Sequence, residues 1–523
     1  MQYQNPILSG VHPDPSICRV GEDYFLVTST FEYFPGIPVF HSTNLVDWEL
    51  IGHCMTNPKT LPLMIGSPNA SGIYAPTIRY HDGTFYVICT NVATAEMEDS
   101  RYGNFIVTTK DPYGTWSDPV WVDFPGIDPS LFWDEDGSVY CCGSNQGAYL
   151  CKINPDTGEI LSKGKVVWEG TGGCCPEGPH LYKKDGWYYM MIAEGGTEYG
   201  HMETIARSRN IEGPYVAYEG NPILSNRSLG AAIMATGHAD LVDDIYGNWW
   251  GICLGIRPIY YPPKHNLGRE TFLFPVEWNK DGWPVCGKNG VIEERMSVNR
   301  KELPDKRSGR EDAISMPVAG EVYQWQDDFS KEKISARWVS LYEPDENWGD
   351  FVKVEPGKGL LLKGRAATIS DTKKSTFLGV RQEHHFCKIQ TEILTDFKED
   401  GEEAGLSIFL NRNHHYEIAI TNVNGMKQLL LRRRIGSLWK VEWAIPYQKD
   451  SVLFQIEADK EWYRFSYAKP GTEWIPAGQG EVAYLTTETG GAFTGNLFAL
   501  YATGNGKECS GTSLVKWVKY EGK

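Results

Sequence analysis

The sequence lacks several features that would place it elsewhere. No apolar run is long enough to span a bilayer. The opening stretch, MQYQNPILSG, has neither the basic region nor the apolar core of a secretory leader. The 12 cysteines show no CxxC spacing, and two pairs are directly adjacent, Cys141-Cys142 and Cys174-Cys175. That pattern excludes a zinc ribbon or a disulfide framework and reads as reduced thiols. Together these absences predict a cytoplasmic protein, in which the sequons at Asn69 and Asn226 are chance matches. A phosphate loop is missing too. GEILSKGKV, from Gly158, has one residue too many before Gly-Lys, and Val166 stands where Ser or Thr is needed. Basic residues are outnumbered, 50 against 67 acidic, for a net charge of −17. Such a chain repels nucleic acid and anionic membranes. It suits a neutral ligand, or simply solubility. Helical periodicity is scarce throughout.

What is present is aromatic and β-forming. Phe, Trp and Tyr make up 13% of the chain, and sugars stack on such flat side chains, although β cores use them as well. At 523 residues the chain is too long for one core, so two or more domains are expected.

Five segments share one pattern: HPDPSICRVGEDYFLVTST, IYAPTIRYHDGTFYVICTN, GIDPSLFWDEDGSVYCCGS, CPEGPHLYKKDGWYYMMIAEGG and TGHADLVDDIYGNWWGICLG. Each opens on a small turn, often with proline, then runs strand, turn and aromatic strand, which is a hairpin. Aligned starts fall at Asp14, Ala75, Asp128, Gly178 and His238, with steps of 61, 53, 50 and 60 residues. A β period near this size predicts a propeller with four strands per blade, and five repeats predict five blades. The first strand of each blade lines the central channel, so the residues at its start face that channel at one end. Asp14, Asp128 and Glu177, the last one position early, therefore converge on one axis. Carboxylates gathered there shift one another's pKa values. The plain alternative is a set of turn-forming acids at blade corners.

These residues resemble glycoside hydrolase family 43, in particular its two-domain β-xylosidase and α-L-arabinofuranosidase type. The likeness is carried by NPILSGVHPDPSI, TSTFEYFPGIPVFHSTNLVDW, YAPTIRYHDGTFYV, GIDPSLFWDEDG, EGPHLYKKDGWYYMMIAEGGT, TIARS, GHADLV and LGRETFLFPVEWNKDGWPV. It implies a five-bladed propeller and an inverting, exo-acting hydrolase. The implied activity releases terminal β-D-xylose from short xylo-oligosaccharides, with α-L-arabinofuranose as the alternative main sugar. Asp14 would be the general base and Glu177 the general acid. Asp128 would orient that acid and raise its pKa. An inverting pair stands roughly 6.5–9.5 Å apart to admit a water.

The resemblance also implies substrate contacts for Phe31, in TSTFEYFPG, for Arg257, in GIRP, and for Thr204, before IARS. Core packing and a surface ion pair are the plain readings of Phe31 and Arg257. His238 would lie below the carboxylates. In some relatives it approaches a calcium ion in the channel, so no cofactor is required but calcium is an open expectation. Tyr74 stands where relatives commonly have Trp, and the connection GSNQGAYLCKI is short. Both lie where the leaving sugar would bind, and both leave the xylose or arabinofuranose preference open.

The propeller motifs end near NGVIEERM, which puts the catalytic domain at 1–298. NRKELPDKRSGRED reads as part of a polar surface connector, 299–321. From YQWQDDFS onward, strand-like runs alternate with turns, so 322–523 reads as an antiparallel β-sandwich. Relatives set such a lectin-like sandwich against the propeller mouth, with a phenylalanine of GAFxG closing the pocket. Here that is Phe493. The expected partners are short neutral oligosaccharides, with self-association left open. A sugar-binding propeller without catalysis would not need all three acids. A fructan-cleaving propeller would carry an NDPNG-like motif, which is absent. An open-groove endo-arabinanase would not need Phe493.

Overall fold

The computed structural model describes residues 1–60, 63, 69–92, 102–491 and 493–523. The chain is almost wholly β. Its first part forms five sheets whose leading strands are Ser16–Val20, Thr77–His81, Ile127–Trp133, Glu177–Lys184 and Met234–Asp243. Each leading strand hydrogen-bonds to the next strand in sequence, as the hairpin repeats predict. The ring is closed by the N-terminus. Gln2–Gln4 pairs with Arg295–Ser297, and Leu8 bridges to Thr271 on the fifth blade.

The blade starts share a backbone signature. Asp14, Asp128, Gly178 and His238 all have left-handed φ, at 54°, 54°, 57° and 50°. These are four of the five aligned starts. Ladder register shifts there in blades three, four and five, as a bulge requires. For each non-glycine residue this conformation costs about 1–3 kcal/mol, a strain typical of functional sites. Blade four shows why its acid stands one residue early. A Cβ on Gly178 would lie 2.6 Å from Nε2 of His238, so no side chain fits there. Glu177 supplies the carboxylate instead.

Alternate residues of a strand share a face, so the position two beyond each start lines the next layer of the channel. Ser16, Ser130, His180 and Asp240 occupy it. Arg79, from blade two, fills the middle. Its guanidinium donates to Asp240 at 2.8 Å and to Nδ1 of His180 at 2.9 Å. Ser16 and Tyr182 also donate to Asp240, at 2.6 and 2.7 Å. The buried charge is thus paired and hydrogen-bonded, as burial demands.

The connector is not a free surface loop. Leu303 and Met316 are buried in the core of blade one, and Ile314–Ser315 adds a strand to that blade opposite Leu50 and Glu49. The apolar residues inside the charged stretch, obscured by its polarity, dock it.

The second part is a two-sheet antiparallel sandwich. Cys387–Asp396 shows the half-buried alternation of an outer sheet. The facing sheet, which includes Glu403–Asn411 and Leu497–Thr503, is buried on both sides. Phe498 and Leu500 point into the sandwich core. Leu497, Ala499 and Tyr501 point the other way and share a core with Val27, Ile37 and Ile73 of the propeller. The two domains therefore meet through continuous apolar packing. A short ladder between Ser340–Leu341 and Tyr33–Phe34 crosses the boundary as well.

Candidate active site

Where the blade starts meet the sandwich lies a cavity of about 160 Å³. It is smaller than the roughly 300–1,000 Å³ of drug-sized sites and suits one sugar unit. Asp14, Asp128, Glu177 and His238 come from the blade starts, Phe31 and Tyr74 from blades one and two, Thr197 and Arg269 from blades four and five, and Phe493 from the sandwich.

Asp14 is buried and accepts two strong bonds. Arg269 Nη1 donates to Oδ1 at 2.8 Å, and the Ser29 hydroxyl donates to Oδ2 at 2.6 Å. Burial alone would raise its pKa. The Arg269 charge, His238 and the Ser29 bond outweigh burial and hold Asp14 below the ordinary aspartate value. Asp14 is therefore ionised.

Asp128 is the opposite case. Burial pushes it well above the ordinary range, and the neighbouring Glu177 and Asp14 carboxylates push it further. It accepts the Gly178 N–H at 3.3 Å. Glu177 is 21% exposed at its side chain and faces the His201 ring 3.6 Å away. Burial works to raise it too, but His201 and His238 outweigh burial and hold it low. The sequence reading gives Asp128 the task of raising Glu177. Asp128 is the more deeply enclosed of the two, and the Glu177 and Asp14 carboxylates both act on it.

Aromatic rings close the pocket. Phe31 and Phe493 stack with centroids 6.1 Å apart, and Tyr74 meets both edge-on at 5.4 and 6.1 Å. The Arg269 guanidinium lies 5.6 Å from the Phe31 ring and 5.5 Å from the Phe493 ring, within cation–π range of both. It also donates to the Thr197 hydroxyl at 3.0 Å and approaches the Phe493 carbonyl at 3.4 Å. Its Nε is buried and has no hydrogen-bond partner among the described residues.

Phe493 is placed by backbone contact between domains. A Cβ on Gly268 would lie 2.9 Å from the Gly495 nitrogen, and one on Gly495 would lie 2.3 Å from the Leu267 carbonyl. Only glycine permits that approach. The Thr487 N–H donates to the His265 carbonyl at 3.1 Å and the Asn496 N–H to the Asn266 carbonyl at 3.0 Å. Glu488 adds a polar clamp, accepting from the His265 backbone at 2.9 Å and contacting the His265 ring and the Tyr199 hydroxyl.

Two expected contacts lie elsewhere. Thr204 is fully buried, and its hydroxyl donates to Glu194 at 2.6 Å, away from the cavity. Glu194 in turn accepts the backbone N–H groups of Thr171 and Gly173, so Thr204 supports the loop ahead of Glu177. Arg257 makes a bidentate pair with buried Glu270, 2.7 Å on each arm, and does not line the cavity. The arginine of the pocket is Arg269, in LGRETF. A cross-strand register that puts Glu270 opposite Gly255 explains the difference, since it gives Arg257 an acid of its own.

The resemblance sets His238 toward a calcium ion in the channel. That ion takes six to eight oxygen ligands. Among the described residues, no group of three or more His, Cys, Asp or Glu could hold a metal. His238 Nδ1 lies 3.8 Å from Asp14 Oδ1, and burial lowers the pKa of the ring. Below it the channel already holds a cation, Arg79.

Three carboxyl groups and an aromatic clamp around a small cavity are the groups that glycoside hydrolysis uses. The comparisons agree. The family model for glycosyl hydrolases family 43 matches residues 3–284, and that for the β-xylosidase C-terminal concanavalin A-like domain matches 326–521. The chain belongs to glycoside hydrolase family 43. It is 39% identical to a non-reducing end α-L-arabinofuranosidase of Bacteroides ovatus, over 99% of this chain and 94% of that one. It is 35% identical to a xylan 1,3-β-xylosidase of a Vibrio species, over 95% of each. The crystal structure of a family 43 protein from Bacillus licheniformis superposes with a TM-score of 0.90, at 31% identity and 100% coverage of both chains.

Proposed function

We propose that the protein is an inverting, exo-acting glycosidase that removes a terminal β-D-xylose from short oligosaccharides. The observation that carries this reading is the small cavity of about 160 Å³, lined by Asp14, Asp128 and Glu177 and bounded by Phe493 of the second domain. A capped cavity takes a chain end, not the middle of a polymer. Asp14 accepts the proton of the attacking water. Glu177, more exposed than Asp128, hands a proton to the leaving oxygen. Arg269 keeps Asp14 ionised. Proton NMR directly after mixing tests the stereochemistry: the first sugar released should have inverted configuration.

Release of α-L-arabinofuranose is the second reading. It is favoured by the Bacteroides ovatus relative, named for that activity, which spans nearly the whole chain. Paired nitrophenyl β-D-xyloside and α-L-arabinofuranoside, assayed with the purified protein, decide between the two. We also propose that the enzyme acts in the cytoplasm on imported oligosaccharides. All 12 cysteines are free, which suits a reducing compartment.

A further inference from the structure

Cys174 and Cys175 are exposed, whereas the other ten cysteines are buried. Their sulfurs converge on one spot. A Cβ on Gly196 would lie 3.9 Å from Sγ of Cys174 and 3.7 Å from Sγ of Cys175. Cys175 has left-handed φ, 52°, which turns both side chains to one side. The adjacent pair Cys141 and Cys142 provides the contrast. It lies within strand Val139–Ser144, where neighbouring side chains point to opposite faces, and it is buried.

The exposed pair is stitched to the site. The Cys174 carbonyl accepts from the Gly195 N–H at 2.8 Å. Two residues past Gly195 stands Thr197, which receives a bond from Arg269. On the other side, the Pro176 carbonyl accepts from the Ser144 hydroxyl at 2.5 Å, and Glu177 follows. A change at the two sulfurs therefore pulls on the backbone immediately before Glu177.

Geometry selects the chemistry. Neighbouring Cα atoms are about 3.8 Å apart, below the roughly 4.4–6.8 Å of ordinary disulfides, so direct S–S closure is strained. One large soft atom between the sulfurs relieves that strain, and thiolates prefer soft centres. We propose that Cys174–Cys175 is a dithiol site for soft thiophilic centres, trivalent arsenic above all, and that filling it displaces Glu177. With an arylarsine oxide, the As=O bond is replaced by two As–S bonds. The oxygen leaves as water with both thiol protons, and no atom changes oxidation state. The expected effect on catalysis rests on Glu177 being the general acid.

The test treats the full-length enzyme with phenylarsine oxide and follows intact mass and hydrolysis of two substrates. One adduct per chain is expected. Disaccharide hydrolysis should fall by about 10²-fold, the scale of lost acid catalysis, with a smaller loss on a nitrophenyl glycoside. A dithiol should reverse the effect and a monothiol should not. Cys174→Ser and Cys175→Ser should each take no adduct and keep their activity. No adduct on the wild type, or an adduct that persists in both variants, overturns the site. An adduct without loss of activity overturns its coupling to Glu177. Equal loss on both substrates supports the dithiol site and overturns the acid role of Glu177.

Discussion

Arg269 reaches Asp14 at 2.8 Å across 255 residues of sequence, and this bond sets the charge of the proposed base. Removing the guanidinium should let burial dominate, so the Asp14 pKa rises. The acidic limb of the kcat/KM profile should then move to higher pH in Arg269→Ala, by roughly one unit or more. Arg269→Lys should keep part of the effect, because a point charge remains. An unmoved acidic limb in Arg269→Ala would show that Asp14 does not govern it.

The two arginines should separate by phenotype. Arg257→Ala leaves buried Glu270 without its ion pair, which costs about 3–5 kcal/mol of stability. KM of the folded fraction should hardly change. Arg269→Ala should instead lower kcat/KM strongly. Urea denaturation beside steady-state kinetics checks both, and a large KM change in Arg257→Ala would return that residue to the pocket.

Phe493 tests the closure by the second domain. It is 41% exposed and contributes a ring face, not core packing. Aromatic contacts of this kind are worth about 0.5–1.5 kcal/mol, so Phe493→Ala should raise KM about two- to tenfold with the fold intact. Unchanged kinetics would reduce the sandwich to a scaffold.

That scaffold role is itself testable. Deleting residues 322–523 uncovers the propeller side of a shared core that includes Val27, Ile37 and Ile73. The isolated propeller should aggregate or unfold, since each large apolar side chain loses about 1.5–3 kcal/mol of burial. A soluble, cooperatively folding fragment would contradict the continuous core.

The three acids should part by leaving group. Glu177→Ala should damage disaccharide hydrolysis by about 10²–10⁴-fold and spare a nitrophenyl glycoside, whose phenolate leaves unaided. Asp14→Ala should damage both. In Asp128→Asn Glu177 loses a neighbouring negative charge and ionises more easily, so the alkaline limb should move to lower pH. Three variants against two substrates, with pH profiles, settle the roles.

The blade starts were legible from the sequence because a propeller repeats its hairpin along the chain. Local spacing alone aligned Asp14, Asp128, Gly178 and His238, and all four share one backbone conformation. The sandwich was legible for the same reason, as alternation and turns. What spacing cannot encode is which side chain a long-range partner claims. Arg257 and Arg269 sit on neighbouring strands of one blade, and only the register that gives Glu270 to Arg257 leaves Arg269 for Asp14. Thr204 likewise faces Glu194 because of the pleat. The raised pKa of Asp128 was decided by tertiary structure as well. Like charges compete through burial and distance, and both exist only once the blades close around the channel.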